Sequence, residues 1–594
     1  MFTELNGVHI VNKIEYDVLI QIKECGYENQ RELSLKTNYS LGAINKAVKK
    51  LVIGAYLDLD KNLTEKANEL IMLNKPKNAV ILAAGFGMCM VPINQETPKA
   101  LLEVNGERLI ERIIKQLHAV GIEDINVVVG YKKECFEYLI DDYGVNLVLN
   151  SDYAIKNNLH SLALVKDKLN NSYIIPSDVY AKENPFNNYE LYSWYLLSDR
   201  LSKHSDVEIN RKEELVKTNG HGLKMIGISY LCADTLKIVK KRLEAYKDNY
   251  RYDNCFWEET LYDKDKMIVY ANLKSANDVY EIDTYEQLRE IDEDSKHLKS
   301  NIIEIIVNAL NVDNHQITNI KTLKKGMTNR SFLFECNKHK YIMRIPGEGT
   351  DQLVNRREEY EVYQLIKDRH ISDDIIYINP NNGYKISRFI NNARACNPHN
   401  KEDLVLCMKY LREFHNLKLK TNHVFNLFDK LEFYEGLWNG QTSIYRDYKV
   451  TKANVYKLKE YIDQHEKSYY LTHIDAVPDN FLITRNNNQA EVRLIDWEYA
   501  ANQDQDVDIA MFCIYALYER VEVEQLIDIY YENNCSKETR IKIYCYIAVC
   551  GLVWSNWCEY KLKHGIEFGD YSIKQYRFAK DYYRLAKKEI EALI

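Results

Sequence analysis

The segment HIDAVPDN carries His473, Asp475 and Asn480, and RLIDWEYA follows it with Asp496 and Glu498. Phosphoryl transfer uses this set of groups: one carboxylate to accept the proton of the substrate hydroxyl, and an Asn and an Asp to hold Mg²⁺ on the phosphates. Between the two segments, FLIT and EVRLID flank the polar run RNNNQA and read as two strands of a hairpin. That hairpin takes Asn480 into its first strand and returns Asp496 beside it at the end of the second. A lone H-x-D means little. The ordered set inside a matching local structure is hard to read as core packing.

WSNW sets Trp554 and Trp557 three residues apart, on one face of a helix. Two indoles on one face are either ordinary core or one wall of a box for a quaternary ammonium, which binds aromatic faces. The surrounding sequence decides between them. From about residue 320 onward the chain resembles the bacterial choline kinases of the choline/aminoglycoside kinase superfamily. KKGMTNRSFLFEC is similar to their phosphate loop, YIMRIPGEGT to their nucleotide-binding strand, NRREEY to their αC-like helix, and WSNW with HGIEFGDYSIKQYRFAKDYY to their choline-pocket helix and C-terminus.

The resemblance implies that Asp475 is the catalytic base and that Asn480 and Asp496 hold Mg²⁺. It places Gly326 and Asn329 in the phosphate loop and Arg344 against ATP, with Glu359 as the αC partner and neighbouring Glu358 left open. Tyr499, Trp554 and Trp557 become aromatic walls for choline. One departure stands out: the family has an acidic residue where this chain has Tyr515.

A second chemistry lies upstream. NAVILAAGFG reads as a buried strand entering a Gly-rich turn, ERLIERIIKQLHAVG as an amphipathic helix ending at Gly121, and DINVVVGY as another strand. This alternation predicts a parallel sheet with right-handed crossovers. The loop lacks GK[ST] and the third Gly of a dinucleotide fingerprint. With TPKALLEVNGERLIERII, KNNLHSLALV, YIIPSD and YEIDTYEQL in order, residues 78 to about 291 resemble the bacterial CTP:phosphocholine cytidylyltransferases. The resemblance implies that Gly85 and Gly87 cradle the nucleotide through backbone N–H groups, that Lys99 neutralises phosphate charge, and that Asp178 and Asp283 hold Mg²⁺. Three features depart from the family. Cys89 stands where an Arg is expected, Pro176-Ser177-Asp178 replaces a D-x-D, and SWYLLSDRLSKHSDVEINRKEEL aligns poorly with choline-binding strands.

Residues 10 to 72 read as a winged helix, with Leu33, Leu35, Ile44, Val48 and Leu51 as its apolar set and Asn45, Lys46, Lys49 and Lys50 displayed on the second helix. Acidic residues balance the basic ones, which is poor for counterion-driven DNA binding. A docking or dimerisation module is the preferred reading, with a homodimer as one outcome.

The 594 residues, 46% hydrophobic and 28% charged, suggest a protein of about three or four domains. A net charge of −8 gives no electrostatic case for a polyanion as main ligand. Thirteen cysteines without CxxC pairing read as reduced thiols of a cytoplasmic protein. The first residues do not read as a signal peptide, and no apolar run reads as long enough to insert in a bilayer.

The fold class expected is therefore multidomain α/β and α+β. Residues 1–76 form the winged helix, 77–295 a Rossmann-like nucleotidyltransferase domain, and 296–594 a protein-kinase-like domain. The resemblances imply consecutive reactions: ATP phosphorylates choline, and CTP converts phosphocholine to CDP-choline for decoration of the cell envelope. Three alternatives stay open. One is a choline or ethanolamine kinase with a degenerate nucleotidyltransferase domain. Another is a kinase for a different amino alcohol or an aminoglycoside. The third is a choline-responsive DNA-binding regulator.

Overall fold

NAVILA has no charge over six residues and forms the strand Asn78–Ala83, buried at every position. In this computed structural model, which describes residues 11–593 apart from 88–89, 91–92, 94–96, 204, 219, 324–328, 348–352, 487–488 and 564–567, that strand is central to the first of two compact units, Met1–Ile305 and Ile306–Ile594.

In the first unit, Asn78–Ala83 pairs in parallel with Asp124–Val129 on one side and Ser172–Pro176 on the other, and Asp124–Val129 pairs in parallel with Asn146–Leu149. The predicted helix runs Leu109–Ala119 and buries Ile110, Ile113, Ile114 and Leu117 against the sheet. The all-parallel expectation fails beyond Ser172–Pro176. There Gly222–Leu231 enters antiparallel and pairs antiparallel with Trp194–Ser202, and the sheet continues mixed through Lys266–Lys274. No helix separates Trp194–Ser202 from Gly222–Leu231, so nothing forces that pair parallel. Outside this sheet, Val179–Ala181 pairs antiparallel with Val279–Glu281, and the Ile282 N–H donates to the Asp178 carbonyl at 2.9 Å. This short ribbon brings residues a hundred positions apart to one place.

The front of the unit holds helices Lys13–Cys25, Gln30–Thr37, Leu41–Ile53 and Glu65–Leu73. Asn12, Asn29, Ser40 and Thr64 cap them with side-chain oxygens on backbone N–H groups. A single bridge joins Leu57 and Leu63. Leu33, Ile44, Val48 and Leu51 are buried as expected, but Leu35 is 72% exposed; the helix turns it away from its neighbours. The cluster is completed by Leu191, while Tyr192 donates to Asp17 at 2.9 Å and Lys13 pairs with Glu213 at 2.7 Å.

The second unit begins with an antiparallel sheet in the order Ile317–Thr322, Asn329–Cys336, His339–Pro346, Lys385–Arg388, Ile375–Ile378. Helix Arg356–Ile366 precedes the last two strands, and a largely helical part follows. The predicted hairpin is present as Phe481–Asn486 paired with Gln489–Leu494. At the centre of the helical part lies Lys537–Lys563. Its length and composition would allow it to cross a membrane, contrary to the sequence expectation, yet its most apolar stretch is entirely buried within the protein. Gly551 permits this packing: a Cβ there would meet the Gln575 carbonyl at 2.8 Å and the Phe578 Cβ at 2.9 Å on helix Asp570–Glu591.

Candidate active sites

The catalytic-type turn of the second unit is held from below. Asp508 accepts from the backbone N–H groups of His473 and Ile474 at 3.0 and 2.7 Å, and its Oδ2 lies 3.0 Å from His415 Nε2. This clamp holds Ile474 at φ 70°, a conformation a β-branched residue avoids unless its surroundings impose it. His473 itself is buried; desolvation pushes its pKa down to about 4, so the ring is neutral, with Nε2 3.0 Å from the Ile495 carbonyl. It ties the turn to the segment leading into Asp496, which also has a positive φ, 66°.

These constraints gather Asp475, Asn480 and Asp496. Asn480 Nδ2 donates to the Asp475 carbonyl at 2.9 Å and to its carboxylate at 3.1 Å, which fixes the amide orientation. Desolvation, followed by the charges of Asp496 and Glu498, pushes Asp475 up to about 8. Desolvation and Glu498 also raise Asp496, against the pull of Lys385 and Arg344. Such crowding of acids is relieved by cations. The carboxylate and amide oxygens of Asp496 and Asn480 are hard donors that suit Mg²⁺.

Arg344 reaches Glu359 with both terminal nitrogens, 2.5 and 2.9 Å, and donates to the Gly383 carbonyl at 3.0 Å. Glu359 is fully enclosed, and Arg356 joins it at 3.1 Å. Glu359, not Glu358, is therefore the partner. Lys385 lies opposite Arg344 on the adjacent strand and bonds the Tyr363 hydroxyl at 2.6 Å.

Asp475, Asn480, Asp496, Arg344 and Lys385 open on one cavity of about 400 Å³, which Tyr499, Tyr515, Trp554, Trp557 and Tyr571 also line. Tyr499 and Trp554 meet edge to face at 6.3 Å, and Trp557 packs on Phe568 at 5.2 Å. Asn329 opens its strand, while Gly326 lies outside the described residues.

In the first unit, the ribbon of Val179–Ala181 and Val279–Glu281 sets Asp178, Glu281 and Asp283 together, with oxygens of all three within 4.8 Å of one another. Lys99 Nζ sits 2.6 Å from Asp178 and 2.7 Å from Asp283, and Lys224 Nζ lies 3.1 Å from Glu281. Burial opposes the charge on Lys99, but the two aspartates outweigh it and keep the ammonium protonated. Burial, with the charges of Asp178 and Asp283, pushes Glu281 up to about 8. Gly87 has φ 66° and its missing Cβ would lie 3.2 Å from the Lys99 Cβ, so the loop passes directly over this lysine. Gly85 has open space around its Cα. Three carboxylates converging on one point form an oxygen-only set suited to a hard divalent cation.

Residues 79–179 match the MobA-like NTP transferase domain, and residues 320–578 match choline/ethanolamine kinase. The choline-phosphate cytidylyltransferase of Streptococcus pneumoniae is 37% identical over 36% of this chain and 96% of its own length. The chain belongs to the choline-phosphate cytidylyltransferase family. The 2-aminoethylphosphonate cytidylyltransferase of Lancefieldella rimae is also similar, 34% identical over 31% of this chain and 78% of its own. Protein LicA of Haemophilus influenzae matches a different stretch, 26% identical over 42% of this chain and 96% of its own length.

In this cytidylyltransferase-family chain, the structure brings Lys99, Asp178 and Asp283 together as the sequence suggested. It also adds a third carboxylate that the sequence Pro176-Ser177-Asp178 lacks. The third carboxylate is Glu281, which ends the strand Val279–Glu281 two residues before Asp283. Cys89 lies outside the described residues. Sequence reasoning missed Lys224, Lys385 and Asp508 as well. Each comes from a segment without a motif, and only the fold carries it to the site.

Proposed function

We propose that the second unit transfers the γ-phosphoryl group of ATP to the hydroxyl of choline, and that the first unit joins phosphocholine to CTP, giving CDP-choline and pyrophosphate. One observation carries the kinase half: the acids Asp475 and Asp496 and the indoles Trp554 and Trp557 line a single cavity. Asp475 accepts the hydroxyl proton, the aromatic walls hold the ammonium head, Lys385 supplies positive charge toward the phosphates, and the Arg344–Glu359 pair positions helix Arg356–Ile366. Asn480 and Asp496 would hold Mg²⁺, which supplies charge neutralisation on the phosphates.

In the first unit the reaction requires positioning and charge neutralisation for attack of the phosphocholine oxygen on the α-phosphorus of CTP. Asp178, Glu281 and Asp283 would hold the divalent cation, and Lys99 and Lys224 stand ready to move from carboxylate to phosphate partners. The intact acidic set argues for an active domain over a degenerate one. The helices over residues 13–73 suit a winged-helix docking or dimerisation module of a cytoplasmic enzyme better than a DNA reader, since acids such as Glu15 pair with the basic face at Lys50.

Mass spectrometry of the protein with choline, ATP, CTP and Mg²⁺, and with phosphocholine and CTP alone, tests both halves. CDP-choline in both mixtures is expected. Phosphocholine accumulating in the first with no turnover in the second would leave only the kinase.

A further inference from the structure

Tyr515 ends helix Asp506–Tyr515 and donates its hydroxyl to Asp479 Oδ2 at 2.7 Å. Both residues line the cavity that holds Asp475, Trp554, Trp557 and Tyr571. Tyr515 also meets Tyr571 edge to face at 6.0 Å, so the phenol is braced by an aromatic neighbour and by its own hydrogen bond. Asp479 is exposed on the short turn Pro478–Asn480, four positions after Asp475 and one before Asn480. Among the described residues no Lys, Arg or His pairs with it.

We propose that Asp479, aimed by Tyr515, is the anionic wall that the substrate's alkylammonium group faces. This rests on the reading of the cavity as an amino-alcohol site and says which residue supplies its charge. Aromatic faces attract a cation through their quadrupoles, which are short-ranged. A net negative charge at the mouth acts over a longer distance and favours a cation over a neutral group of the same shape. A quaternary ammonium has no N–H to donate, so the carboxylate serves it as a point charge and needs a fixed place rather than a directed bond. The Tyr515 hydroxyl supplies that fixing: it occupies Oδ2 and leaves Oδ1 without a protein donor among the described residues. The resemblance expects an acid at position 515 itself. Here the phenol holds an acid from another segment, Asp479 on the turn Pro478–Asn480.

A structural corollary follows for substrate length. Asp475 and Asp479 lie four residues apart on one short segment, so the group that takes the hydroxyl proton and the group that faces the cation are set by the same stretch of backbone. Tyr515 is a positioning residue, and Asp479 touches the substrate's head.

The test compares wild type with Asp479→Asn and Tyr515→Phe, using choline kinetics and the inhibition constant of 3,3-dimethyl-1-butanol, the uncharged carbon isostere of choline. Asp479→Asn should raise the KM for choline about tenfold, with kcat and the KM for ATP little changed. Tyr515→Phe should raise it by a smaller factor. The inhibition constant of the neutral isostere should stay within about twofold in both variants, a readout that loss of pocket shape would move. An unchanged KM for choline in Asp479→Asn, or an equal loss for choline and the isostere, would overturn the role of Asp479. Absence of choline phosphorylation by the wild type would instead overturn the reading of the cavity.

Discussion

Arg344 and Glu359 form a bidentate pair, 2.5 and 2.9 Å, in a place where both side chains are almost wholly enclosed. A guanidinium used in this way has little freedom left for a ligand. Its cross-strand neighbour Lys385 lines the same cavity on a single flexible stem, so the two cations divide the work. Arg344 sets the position of helix Arg356–Ile366, and Lys385 meets the phosphates.

Lys385→Met is therefore expected to raise the KM for ATP by about tenfold or more, the loss of one partly desolvated charge contact, with the KM for choline little affected. Glu359→Gln should behave differently. It removes the nearest of the three acids around Arg344 in a buried site, a change that costs about 3–5 kcal/mol when a buried pair is broken. Steady-state kinetics with thermal melts separates the two. A Lys385→Met variant with normal ATP affinity would return the phosphate role to Arg344.

Removing the base should uncouple the two reactions. Asp475→Asn preserves the hydrogen bond from Asn480 as nearly as a side chain can, but it cannot accept the substrate proton. Choline phosphorylation should fall by about 10²–10⁴-fold, the usual span for a general base. CDP-choline formation from phosphocholine and CTP should be unaltered. Near-normal phosphorylation would remove Asp475 from the chemistry.

The cavity of the second unit was legible because its chemistry sits in two contiguous segments joined by a hairpin, and short-range order survives in sequence. Trp554 and Trp557 share a helix face by their spacing, but only the resemblance of the surrounding sequence marked them as a pocket wall. Asp508 was not, since its carboxylate reaches His473 and Ile474 from a separate helix, and an Asp near a helix start is commonplace. Lys385 was hidden by an ordinary strand. In the first unit the acidic ribbon joins residues a hundred positions apart, so Glu281 looked like any strand residue. The mixed half of the sheet was illegible for a related reason: alternation reports a strand but not the direction of its partner. The long apolar helix Lys537–Lys563 was overlooked because scattered Tyr, Lys and Asn interrupt it, although the protein buries those too.

Glu281 offers a direct check on the first site. Glu281→Gln keeps the shape and removes one of three acidic ligands, so the Mg²⁺ concentration needed for half-maximal CDP-choline formation should rise about tenfold, since affinity for hard cations follows ligand charge. Mn²⁺ binding to the whole protein, read by electron paramagnetic resonance without nucleotide, should weaken in parallel. Unchanged metal dependence would place Glu281 in the Lys224 ion pair only.

The two indoles of the second cavity should not be equivalent. Lys561 Nζ already lies over the Trp557 ring at 5.6 Å, whereas Trp554 faces Tyr499. Trp554→Ala should raise the KM for choline by roughly thirtyfold, from a desolvated cation–π contact of about 2 kcal/mol. Trp557→Ala should raise it less and should lower thermal stability more, because Phe568 loses the nearer of its two aromatic neighbours, Trp557 and Tyr571. Equal KM effects would contradict this division.

Glu190 is buried under the segment that meets the front helices, where it accepts from Asn187 at 2.8 Å and from Tyr173 and Trp194 at 2.9 Å. Desolvation outweighs these three donors and pushes it up to about 7, from an ordinary value of 4.5. Below pH 4.5 the folded and unfolded chains both keep the proton. Between about 4.5 and 7 the unfolded chain gives it up and the folded chain holds it, so stability falls as pH rises through that window and levels off above it. The full change is on the order of 3 kcal/mol. Glu190→Gln abolishes this titration while costing a constant amount, since one donor loses its acceptor. Urea unfolding of the whole protein, followed by tryptophan fluorescence at pH 5, 6, 7 and 8, should show the advantage of wild type over the variant shrinking with pH. A gap that stays level would mean Glu190 is ionised throughout, held by its three donors against the cost of burial.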